Sequence, residues 1–177
     1  KPVVNDLAQA YYTLANVFMT EPASYPIYRA GKHWGFKSLR MNPEFNDLQG
    51  GRFDESVERE TDIRAIYWTT ANWLRASKEN KLAAVFAGVP AKVEMLMNRA
   101  LELDPTFLVG GTYRSLGGYY EQLPGLFGRD IKKAKFYLCH VVTEPTSCST
   151  CEDCEVVPNA DQYFENRTFF AEYFLMP

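Results

Sequence analysis

The chain reads as all-α, built from antiparallel helical hairpins stacked as divergent repeats with expanded turns. Three observations predict this. Apolar residues recur at helical spacing, as in Leu96, Ala100 and Leu103, then Tyr113, Leu116, Gly117 and Tyr120, then Ala134 and Leu138. Asn-Pro or Asp-Pro steps punctuate those stripes, because the residue before proline is pushed out of the helical region. Finally, shifting the sequence by 62 positions lays SLRMNPEF (Ser38 to Phe45) on ALELDPTF (Ala100 to Phe107). A third, weaker copy runs from Lys133 to Glu144-Pro145. Units of this kind cannot bury their faces alone and must stack.

With 177 residues, the chain is expected to be a single helical-repeat domain over 1–177, with a cysteine-rich insertion at about 139–158. At 46% hydrophobic and 23% charged residues it has the composition of a globular chain rather than a disordered one. A net charge of −3 and a pI near 5.5 exclude a general nucleic-acid surface. The aromatic share of 15% points to a bulky core or to rings lining a cavity or interface. No apolar run approaches the ~18 residues that a membrane span needs. The chain opens on Lys1, as a mature or truncated chain would, so any targeting segment is expected to lie outside it.

The first helix is predicted over Val3 to Met19, with Leu7, Ala10, Tyr11, Leu14, Val17 and Phe18 apolar and Asn5 or Asp6 as cap. Glu21-Pro22 ends it. The second starts near Tyr25-Pro26, where proline is tolerated in a first turn, and runs to Met41. Asn46 to Phe53, with Gly50-Gly51, reads as a loop. Asp54 is expected to cap a third helix through Trp73 and Leu74, with Ile63, Ile66, Tyr67, Thr70 and Ala71 inside. Lys78 to Lys81 interrupts it, Leu82 to Val89 forms a short helix or lid, and Pro90 opens the helix that ends at Leu103. Leu123 to Asp130 is a loop, and the last helix is expected over Gln162 to Leu175 with Asp161 as cap.

The stripe Tyr113, Leu116, Gly117, Tyr120, Ala134, Leu138 before Glu144-Pro145 resembles a tetratricopeptide repeat with an overlong turn. The set as a whole resembles the T-component (TatT) family of TRAP transporters. It comprises Tyr67-Trp68, the helix end Ala100 to Pro105, Gly110-Gly111, Arg114 to Gly117, the loop Leu123 to Asp130, and the closing Phe170 to Phe174. The resemblance is good from Ile63 to Leu138 and looser at the ends. It implies a tetratricopeptide-like protein of the bacterial periplasm or outer envelope, often a lipoprotein. Such a protein oligomerises, engages a periplasmic transporter subunit or another envelope protein, and hands over an apolar small molecule.

The residues expected to line a ligand or partner groove are Tyr67, Trp68, Trp73, Tyr113, Arg114, Tyr119 and Tyr120. Arg114 lies on an otherwise apolar helix, so its charge must reach solvent or find a buried partner such as Glu121 or Asp130. An ion pair pinning the Gly128-Arg129-Asp130 loop is favoured over ligand contact. Arg64 and Arg75, flanking the Tyr-Trp helix, are expected to face solvent.

Cys139, Cys148, Cys151 and Cys154 form the remaining cluster, three of them in CSTCEDC. Two disulfides in an oxidising compartment are the favoured reading. A zinc site adding Cys139 or His140 comes next, although the paired Cys-x2-Cys spacing is missing. An iron–sulfur cluster comes last, since the fourth cysteine of the ferredoxin run is replaced by Pro158. The two histidines, His33 and His140, are too far apart in sequence to suggest a relay, and no phosphate loop, nucleophile elbow or His-Glu-x-x-His helix is present. No catalytic residue and no cofactor is therefore assigned. A non-enzymatic interaction or ligand-delivery module leads, with a scaffolding subunit of a larger assembly and a small metal or redox protein as alternatives.

Overall fold

The structure, a computed structural model, describes residues 1–142 and 155–171. Among them the regular elements are helices. The contacts within the chain group into two compact units, Lys1–Leu103 and Asp104–Pro177.

In the first unit, α1 (Pro2–Phe18) and α2 (Ser24–Leu39) both place a proline in or near the first turn, where its missing N–H costs nothing. They pack with α5 (Ile63–Ser77) into a three-helix layer, and α7 (Val89–Leu103) covers the other side of α5. The approach of α2 to α5 depends on two glycines one turn apart. A Cβ at Gly35 would lie 2.7 Å from the Cα of Thr69, and one at Gly31 would lie 2.8 Å from Asn72 Nδ2. Asn72 is buried in this seam, donating to the carbonyls of Ala8 (2.9 Å) and Trp68 (2.8 Å), so one amide ties α1 to α5.

Two expectations change here. The stretch Asn46 to Phe53 is loop only in part, because Asn42 accepts from the Glu44 amide at 3.1 Å and starts α3 (Pro43–Leu48), anchored by buried Phe45. The helix expected from Asp54 to Leu74 is two helices, α4 (Phe53–Arg59) and α5. Buried Glu60 causes the break: its Oε1 accepts from the amides of Thr61 (2.9 Å) and Asp62 (2.8 Å), and Lys1 Nζ pairs with it at 2.9 Å. Asp62, not Asp54, then caps α5 through the Ala65 amide at 3.1 Å. The polar interruption after Ser77 is a 3-10 turn (Lys78–Asn80), and Asn80 caps the short helix α6 (Lys81–Phe86).

In the second unit, α8 (Phe107–Gln122) packs against α9 (Ile131–Cys139). Gly117 allows the contact, since a Cβ there would come within 2.8 Å of Leu138 Cδ2. The start of α8 is not an ordinary helix turn. Leu108, Val109 and Gly110 all have positive φ (50°, 55° and 76°), and right-handed helix resumes at Gly111. Glycine carries φ > 0 without cost, whereas a leucine and a β-branched valine do not. A Cβ at Gly110 would also press on Val141. The Leu123–Asp130 segment holds a 3-10 turn (Gly125–Phe127), closes through Asp130 N–H to Tyr120 O at 3.1 Å, and delivers Asp130 as the cap of α9.

The last helix also departs from expectation. A 3-10 turn (Ala160–Gln162) comes first, Tyr163 is extended at the N-cap position, and α10 spans Phe164–Phe170. Left-handed Asn159 sets up that turn, so Asp161 lies within it and does not cap a helix. The expected continuation to Leu175, and Glu144-Pro145 of the third repeat copy, lie outside the described residues. Leu138, Val141, Val142, Val157, Ala160 and Phe170 form the core of this unit, with Val109, Tyr113 and Phe169 packed on it.

Candidate functional site

The seven expected groove residues fall on two helices. Tyr67, Trp68 and Trp73 are on α5 of the first unit, and Tyr113, Arg114, Tyr119 and Tyr120 are on α8 of the second. Cys139 ends α9 and is buried, while Cys148, Cys151 and Cys154 lie outside the described residues.

On α5 the rings sit in a ladder of tilted and edge-on contacts. Trp68 lies 5.5 Å from Tyr12 and 5.0 Å from Tyr67, and Trp73 meets Phe36 of α2 edge-on at 4.9 Å. These geometries let the positive ring edge meet the negative face. Tyr12 continues the ladder to Tyr28 at 5.8 Å. Burial pushes the Tyr28 hydroxyl up to about 12, partly opposed by the charge of Arg75. Its O–H donates to Asn16 at 3.3 Å. Arg75 is thus half-buried and acts on a buried ring rather than simply facing solvent. Arg64 stays near the surface and pairs with Asp6. Asp6 also lines an open depression of about 450 Å³ along the outer side of α1, with Gln9, Ala10, Thr13, Leu14 and Phe18.

On α8, Arg114 is only 4% exposed and its partners are not the expected ones. Glu121 lies two turns along the helix, roughly 10 Å on the axis, and pairs instead with Arg129 at 2.8 Å. Asp130 is engaged as the cap of α9. The guanidinium of Arg114 donates to Asn166 Oδ1 and pairs with Glu165 at 3.2 Å, both on α10. The rings of Tyr163 and Phe169 flank it at 5.2 and 5.9 Å. Arg114 therefore holds α10, not the Gly128-Arg129-Asp130 loop. Asn166, fully buried, donates in turn to the carbonyls of Val109 (3.1 Å) and Ala160 (2.8 Å). One amide thus links the left-handed turn, the 3-10 turn and the buried charge.

Beside this network, Tyr113 stacks face to face on His140 at 4.3 Å and 8°, and Phe136 meets the imidazole edge-on at 4.7 Å. His140 Nδ1 lies 2.9 Å from the Phe136 carbonyl, which selects the Nδ1–H tautomer. Tyr120 and Tyr137 are parallel at 5.6 Å, and Lys133 lies over Tyr120 at 4.9 Å. Sequence reasoning missed Asn166, Glu165 and Tyr137, and considered His140 as a metal ligand, not as the ring stacked on Tyr113. Only Tyr137 carried a signal, one turn ahead of Val141 on the face that meets Tyr120. Thr112, in contrast, has a buried hydroxyl with no hydrogen-bond partner among the described residues. Thr69 and Thr70 reach back to the carbonyls of Ala65 and Ile66, but Thr112 follows the left-handed turn and has no such carbonyl in register.

Among the described residues no three His, Cys, Asp or Glu side chains are grouped to hold a metal. Tyr67, Trp68, Trp73, Tyr119 and Tyr120 are buried and Tyr113 is half-buried, so the expected groove rings are packed core around one buried cation on α8 and do not form an open wall. No helix among the described residues is long and apolar enough to cross a membrane. No curated protein matches the chain. The family model described as TRAP transporter T-component matches residues 3–149, which takes in the first unit from residue 3 onward and the α8–α9 hairpin. The chain belongs to the TRAP transporter T-component family, a transport-associated family.

Proposed function

We propose that this chain is a non-enzymatic component of a TRAP transporter in the bacterial periplasm. In this reading it engages the substrate-binding transporter subunit and passes an apolar small molecule to it. The family match over residues 3–149 carries the reading. Support comes from the rigidity of the aromatic helices: Tyr67, Trp68 and Trp73 on α5, and Tyr113, Tyr119 and Tyr120 on α8, are mostly buried rings that stiffen each unit as a scaffold on which a partner can dock. Arg114 serves as a positioning residue that fixes α10 against α8. Cys139 is proposed to join the CSTCEDC cluster in disulfides, as suits an oxidising compartment. A lipid anchor and self-assembly complete the proposal.

The test is chemical cross-linking in native envelope followed by mass spectrometry, with the chain as bait. Recovery of a TRAP substrate-binding subunit, cross-linked at or beside α5 or α8, is the expected result. Recovery no greater than from an unrelated periplasmic bait would refute the partner. Organic extraction of protein purified without detergent tests the cargo separately, and an extract empty of apolar small molecules would remove that part.

A further inference from the structure

Helix α2 carries a basic face with little counter-charge. From Ser24 to its C-cap Arg40 it holds Arg29, Lys32, Lys37 and Arg40 and no acid, in a protein whose net charge is −3. The nearest acids in sequence, Glu21 and Glu44, lie beyond its two ends, and Glu21 accepts from the Tyr25 hydroxyl at 2.7 Å. Of the two helices that pack most on it, α1 carries only Asp6, which pairs with Arg64, and α5 carries no acid. Glu79, in the turn after α5, pairs with Arg29. Among the described residues no carboxylate pairs with Lys32, Lys37 or Arg40, and Glu44 and Asp47 of α3 are exposed without meeting Arg40. Arg29, Lys37 and Arg40 are exposed and stand at i, i+8 and i+11, so they share the face opposite buried Gly31, Gly35 and Ser38.

Two of these cations are held in place by their neighbours. The Lys37 ammonium lies over the Trp34 ring at 4.6 Å. The Arg40 guanidinium lies over Phe36 at 5.5 Å, while its Nε donates to Gln49 Oε1 at 3.1 Å. Gln49 is fixed in turn, donating to Asn46 Oδ1 at 3.1 Å. Both Nη groups of Arg40 are unbonded among the described residues, which leaves that edge of the guanidinium for an outside acceptor. Cations ordered beforehand lose less freedom on binding, and a guanidinium fork matches a carboxylate. A helix that lies on a bilayer buries its apolar side in the lipid, but the apolar side of α2 is spent on α1 and α5. We infer that the outer face of α2 is a docking surface for a carboxylate-rich face of a partner protein, with Lys37 and Arg40 as its anchors. This deepens the transporter reading above and rests on it for the existence of a protein partner.

Two measurements on the full chain test it. An oligoglutamate peptide titrated at low salt and followed by 15N NMR should shift amides of residues 29–40 and lose its hold at high salt. Lys37→Glu with Arg40→Glu should weaken that binding about tenfold or more. Lys81→Glu with Lys132→Glu makes the same change in net charge at exposed sites elsewhere and should bind as the parent does. The four side chains are exposed, so the circular dichroism of both variants should match the parent. Second, carbodiimide joins a lysine amine to a carboxylate in contact with it. In native envelope it should couple Lys37 or Lys32 to an Asp or Glu of the TRAP substrate-binding subunit, and Arg40→Glu should lower that yield severalfold. The inference is overturned if the peptide leaves α2 unshifted, or if the two charge pairs weaken binding equally. Phosphatidylglycerol vesicles that bind more tightly than the peptide, and lose hold in Lys37→Glu with Arg40→Glu, would also overturn it, making the face a lipid contact. A TRAP subunit recovered but coupled only to other lysines overturns the surface and leaves the transporter reading standing. Peptide binding at α2 with no TRAP subunit recovered does the reverse.

Discussion

Replacing Asn166 by alanine should be among the costliest single changes in the second unit, although the residue is small and makes no apolar contact of note. Its amide holds three groups at once: the Arg114 guanidinium, the Val109 carbonyl at 3.1 Å and the Ala160 carbonyl at 2.8 Å. Alanine takes a donor from both carbonyls, although Ala160 O keeps the Tyr163 amide at 3.2 Å, and it removes one partner of a buried cation. Losing a charged hydrogen bond costs about 1.5–3 kcal/mol and each neutral one about 1 kcal/mol, giving about 3–5 kcal/mol together. For a chain of this length, about 3 kcal/mol lowers Tm by roughly 6–12 °C. Glu165→Ala makes the control. It removes the other partner of the same guanidinium, but that carboxylate is 48% exposed and its pair is worth at most about 1 kcal/mol. Urea denaturation followed by circular dichroism gives both values. Hydrogen exchange should show the lost protection in peptides covering 107–122 and 155–171. Because Arg114 and Asn166 share one bond, Arg114→Met with Asn166→Ala should cost less than the sum of the singles by about 1–3 kcal/mol. If Asn166→Ala costs no more than Glu165→Ala, or if the double variant is additive, Asn166 is not the node described.

Three further outcomes follow from other parts of the molecule. Tyr28 is raised to about 12 in the folded chain from an ordinary value of 10.0. Its contribution is complete below pH ~10 and is lost as pH rises towards ~12, because only the unfolded chain ionises in that window, to the extent of about 2 kcal/mol. Urea titrations across that range should show the decline, and Tyr28→Phe should flatten it; an unchanged slope would refute the assignment. Gly35→Ala should destabilise by about 1–3 kcal/mol, and Thr69→Ser should not rescue it, because the opposing atom at 2.7 Å is a backbone Cα. Rescue by that second change would mean the helices are not at closest approach there. Leu108→Asn should be neutral or stabilising by up to about 1 kcal/mol in thermal melts, since asparagine tolerates φ > 0 better than leucine; a loss above about 1 kcal/mol would show that packing of Leu108 outweighs its backbone strain.

Helix existence was legible because it rests on local rules that do not depend on the rest of the chain. The apolar stripes of α1, α2, α5 and α7, the Asn42-Pro43 stop and the Leu103–Pro105 helix end all state their structure within one or two turns. The capping residues were harder to choose. Asp54 and Asp62 both satisfy the same local rule, and what decides between them is Glu60, whose carboxylate turns back on the amides of Thr61 and Asp62. A glutamate is ordinarily a solvated helix residue, and the positive charge of Lys1, at 2.9 Å, joins those two amides in making burial tolerable here. That partner stands 59 positions away. The left-handed turn was half visible: Gly110-Gly111 announced a change of direction, but nothing local requires Leu108 and Val109 to share the positive φ of Gly110.

The reading of Arg114 failed for a related reason, and the failure bears on function. Sequence reasoning asked which acid could reach it and considered neighbours in the chain, Glu121 and Asp130. The fold answered with an amide and a carboxylate about 50 positions on, at |i−j| = 52 for Asn166. A buried cation is satisfied by several donors' worth of geometry rather than by one nearby charge, so the search for a counter-charge alone was the wrong question. The same network shows why Arg114 is a positioning residue in the proposal and not a ligand anchor. Asn166, Glu165 and the rings of Tyr163 and Phe169 already surround its guanidinium, so any ligand would have to displace α10 to reach it. A chain that hands cargo to a partner needs at least one element able to yield, and the polar tie of α10 to α8 runs through this side chain and the Asn166 amide, beside the core packing of Phe170 and Phe169. Exchange rates that drop across 163–171 when partner or cargo binds would show that α10 tightens with the load; rates unchanged by either would confine Arg114 to stability alone.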